Sequence, residues 1–157
     1  MAKKYSKIKW CCIQRNGIKL IKPNEILGKS YLDSADSNLL GLQSNTLKIQ
    51  NSSAFNACYN SFYSILQKTG IKCEIQECSF ELFNLITGFT NLQINLIKIL
   101  KKNNSDIEQN LKRAKPVNQE SVIEFVKTAK QIFNSLSLNS IRKIRQEILL
   151  IAKNTSN

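Results

Sequence analysis

The chain contains no histidine. That gap excludes Ser-His-Asp and Cys-His nucleophilic systems, imidazole metal ligands and histidine proton relays. Turn-forming residues are also scarce, with five Gly and two Pro. All-β folds need many such residues, so the shortage favours long helices. Gly17, Gly28, Gly41, Gly70 and Gly88 stand alone, which rules out a Gly-rich phosphate loop. No window approaches the roughly 18 consecutive apolar residues that span a bilayer. The basic start, Met1 to Lys7, is not followed by the apolar stretch of a signal peptide. No membrane association is expected, and the location is expected to be cytoplasmic.

Acids are few as well: 11 Asp and Glu against 23 Lys and Arg, a net charge of +12. The excess is uneven. Residues 1–22 hold Lys3, Lys4, Lys7, Lys9, Arg15, Lys19 and Lys22 and no acid. Residues 98–115 are basic again through Lys98, Lys101, Lys102, Lys112, Arg113 and Lys115, while Glu74, Glu77 and Glu81 make 71–89 acidic. This asymmetry suits a nucleic-acid backbone or an acidic protein partner, and equally a solvated basic surface.

Five cysteines, Cys11, Cys12, Cys58, Cys73 and Cys78, are odd in number and irregularly spaced. They read as free thiols of a reducing compartment. Neither Cys11-Cys12 nor Cys73-x4-Cys78 has the usual spacing of a zinc site, so no metal and no cofactor are expected. Asp33 with Asp36, and Glu74 with Glu77, read as solvated surface rather than catalytic pairs.

The 157 residues, 42% hydrophobic, fit one domain with a real core. Ile8, Trp10 and Cys12 alternate with Lys7, Lys9 and Cys11, and Asn16-Gly17 suits a two-residue hairpin turn. A basic β-hairpin anchored by Trp10 is therefore expected over 1–22. The bundle domain follows over 23–153, with a tail at 154–157 that loosens from Lys153.

Asn24 caps the first helix of that domain, with Ile26, Leu27, Tyr31, Leu39, Leu40 and Leu42 on its buried side. A central helix starts after Asn51-Ser52-Ser53 and ends at Gly70. Residues 71–77 form a loop, and Ser79 caps a short helix that stops near Gly88. The next helix carries Leu92, Leu96, Ile97, Ile99 and Leu100, bends near Asn103-Asn104-Ser105, and gives way to a second segment through Ile107 and Leu111. Pro116 ends that segment.

Asn118 caps a strongly periodic helix with Val122, Phe125, Val126, Ala129, Ile132, Phe133 and Leu136. The last helix begins near Asn139, with Ile141, Ile144, Ile148 and Ile151 inward and Arg142, Lys143 and Arg145 outward. The fold class is thus all-α, an antiparallel bundle of four to six helices with a short N-terminal hairpin. Lys98, Lys101 and Lys102 share one helix face. Lys112, Arg113 and Lys115 precede the proline break, where phosphate oxygens could be gripped. Most aromatics occupy core positions, leaving Tyr5 and Trp10 as the ones able to stack on a base.

The run from Gly17 through Lys22-Pro23-Asn24, the run Ala54-Phe55-Asn56-Ala57-Cys58-Tyr59 through Leu66, and Gly70-Ile71-Lys72-Cys73-Glu74-Ile75 together resemble an archaeal branch of the HEPN-domain proteins. The resemblance covers roughly residues 17–150. It implies a helical bundle, commonly a homodimer, often an RNase paired with a nucleotidyltransferase-type protein in a toxin–antitoxin-like module. Other members bind RNA or a partner without catalysis. Active members carry an Arg followed a few residues later by a polar residue and a His at the dimer cleft. In the corresponding stretch here, Asn110 to Asn118, the motif Arg is, depending on register, either Arg113, the candidate catalytic residue, or replaced by Leu111; the His is absent in either register, and Gln76 stands where relatives often show His.

Three functions follow from these readings. The chain is a degenerate member binding RNA or a partner through Lys98, Lys101, Lys102, Lys112, Arg113, Lys115 and Arg15. It is an RNase with a non-standard site built on Arg113. Or it is an interaction subunit whose basic face meets an acidic nucleotidyltransferase partner.

Overall fold

The computed structural model describes residues 5–154. Lys3 and Lys4 of the basic arm and residues 155–157 of the tail lie outside the described residues. Seven α-helices and one two-stranded antiparallel ribbon follow in the order α1 (Ser6–Ile13), β1 (Lys19–Leu20), α2 (Glu25–Leu40), α3 (Leu47–Thr69), β2 (Ile71–Lys72), α4 (Gln76–Glu81), α5 (Asn91–Glu108), α6 (Gln119–Ser135) and α7 (Leu138–Lys153). Five of the helices are long and build the bundle; α1 and α4 are short. The all-α class with a small antiparallel element holds.

Helix α3 is the axle. Its 23 residues bury Ala54, Ala57, Cys58, Phe62, Ile65 and Leu66 completely, because α2, α5, α6 and α7 all pack on it. Gly70, at φ 74°, ends it in the left-handed conformation that a glycine adopts without strain. The N-terminus lies earlier than the sequence implied: α3 begins at Leu47, so Asn51 and Ser53 sit within its second turn, buried, instead of preceding it.

Helix α2 starts as expected, Asn24 Oδ1 accepting from the Leu27 amide at 2.9 Å. Its buried side is different. Gly28 and Ala35 face the core, whereas Ile26 is 81% and Leu40 76% exposed. The reason is close approach: a Cβ on Gly28 would stand 2.7 Å from Phe133 Cε2 and 2.9 Å from the Ser64 carbonyl oxygen. Small residues therefore take this contact and Ile26 and Leu40 turn outward, while Tyr31 and Leu39 pack against the core and Leu42, just past the helix, is buried as expected.

The N-terminal hairpin is not formed. Residues 6–13 are helical, with Ile8 and Cys11 inward at the i, i+3 spacing of a helix face. Trp10 is about half exposed, and Ile8 is the residue buried in the core. Asn16-Gly17 does make a turn, but it joins α1 to β1. Strand β1 then pairs with β2, Lys19 opposite Lys72 and Leu20 opposite Ile71. Residues 71–72 are accordingly a strand and not loop. Ser79 lies inside α4, its hydroxyl bonded to the Gln76 carbonyl at 2.6 Å, and caps nothing.

The cysteines correct a second expectation. Cys11 and Cys78 form a disulfide that ties α1 to α4, with Cα atoms 5.6 Å apart. Cys12, Cys58 and Cys73 are free. Irregular spacing carried no sign of this pairing, because connectivity depends on the fold. Burial pushes the Cys58 thiol up, and the Cys73 thiol up to about 11.

At the other end, α6 and α7 match their sequence pattern closely. Asn118 and Ser137 cap them, and Val122, Phe125, Val126, Ala129 and Phe133, then Ile141, Ile144 and Ile148, are buried. Lys153 still belongs to α7. Arg145 does not point outward. Its Nη1 donates to the carbonyls of Ile21 at 2.8 Å, Thr69 at 3.1 Å and Gly70 at 2.8 Å, closing the C-terminus of α3 onto the segment that leads into α2. No helix among the described residues is long and apolar enough to cross a membrane.

Candidate nucleic-acid interface

Helix α5 organises most of the candidate basic residues. Thr90 and Gln93 close its first turn in a reciprocal capping box. The helix passes Asn103-Asn104-Ser105 without a break and continues to Glu108. It ends where Asn110 takes φ 57°, the Asn110 amide bonding Ile107 O at 3.1 Å and the Leu111 amide Asp106 O at 2.8 Å. This is a Schellman closure with Asn at the left-handed position. Leu111 therefore lies beyond the helix and is exposed.

Two clefts flank α5. On one side Lys98, Lys101, Lys102, Ser105 and Asp106 form a stripe at i, i+3, i+4, i+7 and i+8, facing Lys7 of α1 and Glu77, Phe80 and Glu81 of α4 across a groove of about 510 Å³. The sequence placed the three lysines on one face, and they line one wall. Two of the groove's lysines are already neutralised: Lys7 lies 3.7 Å from Glu81, and Lys101 pairs with Glu77. Lys101 bonded to its carboxylate holds Glu77 below the usual range. With Glu77, Glu81 and Asp106 opposite four lysines, this groove is nearly balanced.

The second cleft is different in kind. Its volume is about 260 Å³; Leu96, Ile99, Leu100, Ile107, Pro116 and Val117 give it an apolar lining, with Leu100 and Ile107 buried at its base, and Asn51, Asn103, Asn118, Lys112, Arg113 and Lys115 complete it. No acid lines it. Lys112 is anchored over the cleft by its bond to Asn103 Oδ1 at 2.8 Å. The loop that carries these cations, the rim loop, is held to α3 from beneath, Asn51 Nδ2 donating to the Lys115 carbonyl at 2.8 Å. The structure thus brings Lys112, Arg113 and Lys115 together as the sequence implied, around an apolar slot the sequence did not reveal.

Arg15 is not part of either cleft. It lines a small hollow with Lys19, Lys72 and Glu74 beside the ribbon. The phenylalanines are core residues, as expected: Phe62 stacks on Phe83 at 4.0 Å, and Phe89 on Phe125 at 4.9 Å. The Tyr5 hydroxyl donates to Glu147 at 3.2 Å, and Tyr5 lies outside the residues that line the two clefts. Trp10 is exposed but lies on α1, outside the residues that line the two clefts.

Sequence reasoning missed Asn51. It read as part of a polar linker because its partner carbonyl is 64 residues away. Asp36 likewise pairs with Lys130 at 2.6 Å, while Glu77 lines the first groove, paired with Lys101, and Glu74 lines the hollow beside the ribbon, paired with Lys72. Among the described residues no group of three or more Cys, Asp and Glu is arranged to hold a metal ion. No family model, curated protein or solved structure matches the chain.

Proposed function

We propose that the chain is a HEPN-like helical protein that binds single-stranded RNA without cutting it, and that the cleft between α5 and the 109–118 loop is the principal contact. The observation that carries this reading is the composition of that cleft: three cations and no acid beside an apolar lining. Phosphates suit the cations, and an unpaired base suits the apolar lining. Lys98 and Lys102, which have no ion-pair partner among the described residues, extend the positive surface on the other side of α5.

Catalysis is disfavoured by the same lining. Attack of a 2′-hydroxyl on phosphate needs a group that takes a proton near neutral pH and one that returns it. The cleft offers lysine, arginine and asparagine, and no carboxylate, tyrosine or histidine. Arg113 and Lys112 could stabilise charge on a phosphate, but nothing adjacent activates the nucleophile. Homodimerisation and a nucleotidyltransferase-type partner belong to the same proposal. The Cys11–Cys78 disulfide counts against the reducing cytoplasm expected from the sequence, where such bonds are rare.

The test is binding of single-stranded RNA by the full chain at several salt concentrations. Three phosphate contacts give a slope of log K against log salt of about −2 for a single strand. Arg113→Ala should weaken binding and reduce the slope by about 0.7. Absence of binding at about 50 mM salt refutes the RNA reading and leaves the partner-protein one. Cleavage that disappears in Arg113→Ala refutes binding without cutting.

A further inference from the structure

Trp10 is a ring able to stack on a base, and neither cleft accounts for it. It is the only tryptophan of the chain and is 55% exposed. Helix α1, which carries it, is firmly held. Ile8 is fully buried, Cys11 is bonded to Cys78 of α4, and Lys9 Nζ donates to the Asn154 carbonyl at the end of α7 at 2.7 Å. The indole is therefore presented from an element that is fixed before any ligand arrives. Two ties set where it stands. Lys7 lies 3.7 Å from Glu81 and Cys11 is joined to Cys78, so α1 and α4 run antiparallel. Trp10, next to Cys11, is thereby level with Glu77, next to Cys78, and Glu77 reaches Lys101 on α5. Trp10 also follows Lys7 by three residues and shares its edge of α1, and Lys7 lines the groove against α5.

We infer that Trp10 is a second base-stacking subsite for the same single strand, reached across α5 by way of Lys102 and Lys98. The inference rests on the RNA-binding reading and gives the strand a path. The two basic regions meet on α5: Lys112 is held on Asn103 Oδ1 at 2.8 Å, and Asn103 is the neighbour of Lys102. Lys98 and Lys102 form no ion pair among the described residues, whereas Glu77 and Glu81 are each held by a lysine. Those two lysines outnumber the groove's remaining acid, Asp106. Residues 1–22 contain no acid at all, so the sequence around Trp10 repels no phosphate. An indole offers a flat face to any base, and the subsite therefore holds a base without choosing among them. A duplex keeps its bases stacked on one another and has none to give. The path crosses α5, about 10–12 Å wide, and then the groove, so strands of about three nucleotides occupy one end and strands of about twelve reach both.

The experiment follows the emission of Trp10 in the full chain, to which no other tryptophan contributes. Oligo(U) of about twelve nucleotides should quench it, and an RNA duplex of the same length should not. The long strand should bind with a slope of log K against log salt near about −3.5, against about −2 for about three nucleotides, because Lys98 and Lys102 add two phosphate contacts. Trp10→Ala should weaken the long strand about tenfold and leave its salt slope in place. Trp10→Phe, which keeps a ring, should restore most of the affinity. The ring is half exposed, so both variants should keep the wild-type fold, which circular dichroism checks. Salt-dependent binding of the long strand with unchanged Trp10 emission overturns the stacking subsite and leaves RNA binding intact. A blue shift on vesicles of anionic phospholipid, with no response to the strand, also overturns it and assigns exposed Trp10 and Ile13 to a lipid surface. No binding of any oligonucleotide overturns both readings.

Discussion

Opening the Cys11–Cys78 bond should lower stability by an amount that the chain separation sets. The two residues are 67 apart in sequence. A cross-link of that span removes loop-closure entropy from the unfolded chain equivalent to about 4 kcal/mol at 25 °C. Native contacts should change little on reduction. Helix α1 remains attached through Ile8, which is fully buried, through Lys9 Nζ on the Asn154 carbonyl at 2.7 Å, and through the Tyr5 hydroxyl on Glu147 at 3.2 Å. Both sulfurs remain on buried residues, Cys11 at 2% and Cys78 at 0% exposure.

The assay is urea unfolding of the oxidised protein, the reduced protein, and the Cys11→Ala/Cys78→Ala double variant. With a slope of about 2 kcal/mol/M, the midpoint should fall by roughly 2 M on reduction. The double variant should match the reduced protein to within the small loss from two truncated side chains. Because the effect acts through the unfolded state, the slope itself should rise as that state expands. Cys12→Ser should leave the oxidised midpoint in place. A midpoint that moves by less than about 0.5 M on reduction would refute the entropic argument. A large shift with an unchanged slope would instead locate the loss in the native docking of α1.

Other consequences follow from single contacts. Gly28→Ala forces a methyl into Phe133 and the Ser64 carbonyl, and should cost about 1–3 kcal/mol in the same urea assay, with Ala35→Gly as an unstrained comparison on the same face. Arg145→Met removes one guanidinium nitrogen from three backbone carbonyls and should cost about 2–3 kcal/mol, with Arg145→Lys restoring less than half. Iodoacetamide should label half-buried Cys12 first. Burial raises its thiol while Lys19 opposes the shift, so the thiolate is the minor form at neutral pH and labelling should accelerate about tenfold per pH unit up to pH 9. Peptide mass mapping that found Cys58 or Cys73 modified before Cys12 would contradict the burial of both.

The parts of this molecule legible in its sequence are those fixed by contacts within one helix. Asn118 and Ser137 cap their helices through amides three residues on, and Val122 to Phe133 repeats with a helical period over several turns. Lys98, Lys101 and Lys102 share a face for the same reason. Helix α1 fails this test because eight residues hold too few periods: Ile8, Trp10 and Cys12 alternate, yet Ile8 and Cys11 equally fit a helix. The choice is made elsewhere. The Ile18 amide bonds the Cys11 carbonyl at 3.0 Å, and the Glu74 and Ile75 amides share the Asn16 carbonyl. A Cβ at Gly17 would fall 1.8 Å from the Cys11 carbonyl oxygen, so the turn is drawn tightly onto the end of α1 and cannot serve a hairpin.

The candidate site divides along the same line. Its cations were legible because like charges near a proline break need no knowledge of the fold. Its apolar lining was not, because Leu96, Ile99 and Leu100 of α5 become one surface with Pro116 and Val117 only after the chain reverses at Asn110. Asn51 is the extreme case. A polar run such as Gln50-Asn51-Ser52-Ser53 ordinarily marks a turn, and here Asn51 is a buried clamp whose two donors hold α3 and the rim loop in register. A basic patch alone predicts that any polyanion will bind. An apolar lining beside the cations predicts that a flexible single strand, whose bases can reach it, will be held better than a duplex, which a solvated basic surface cannot reproduce.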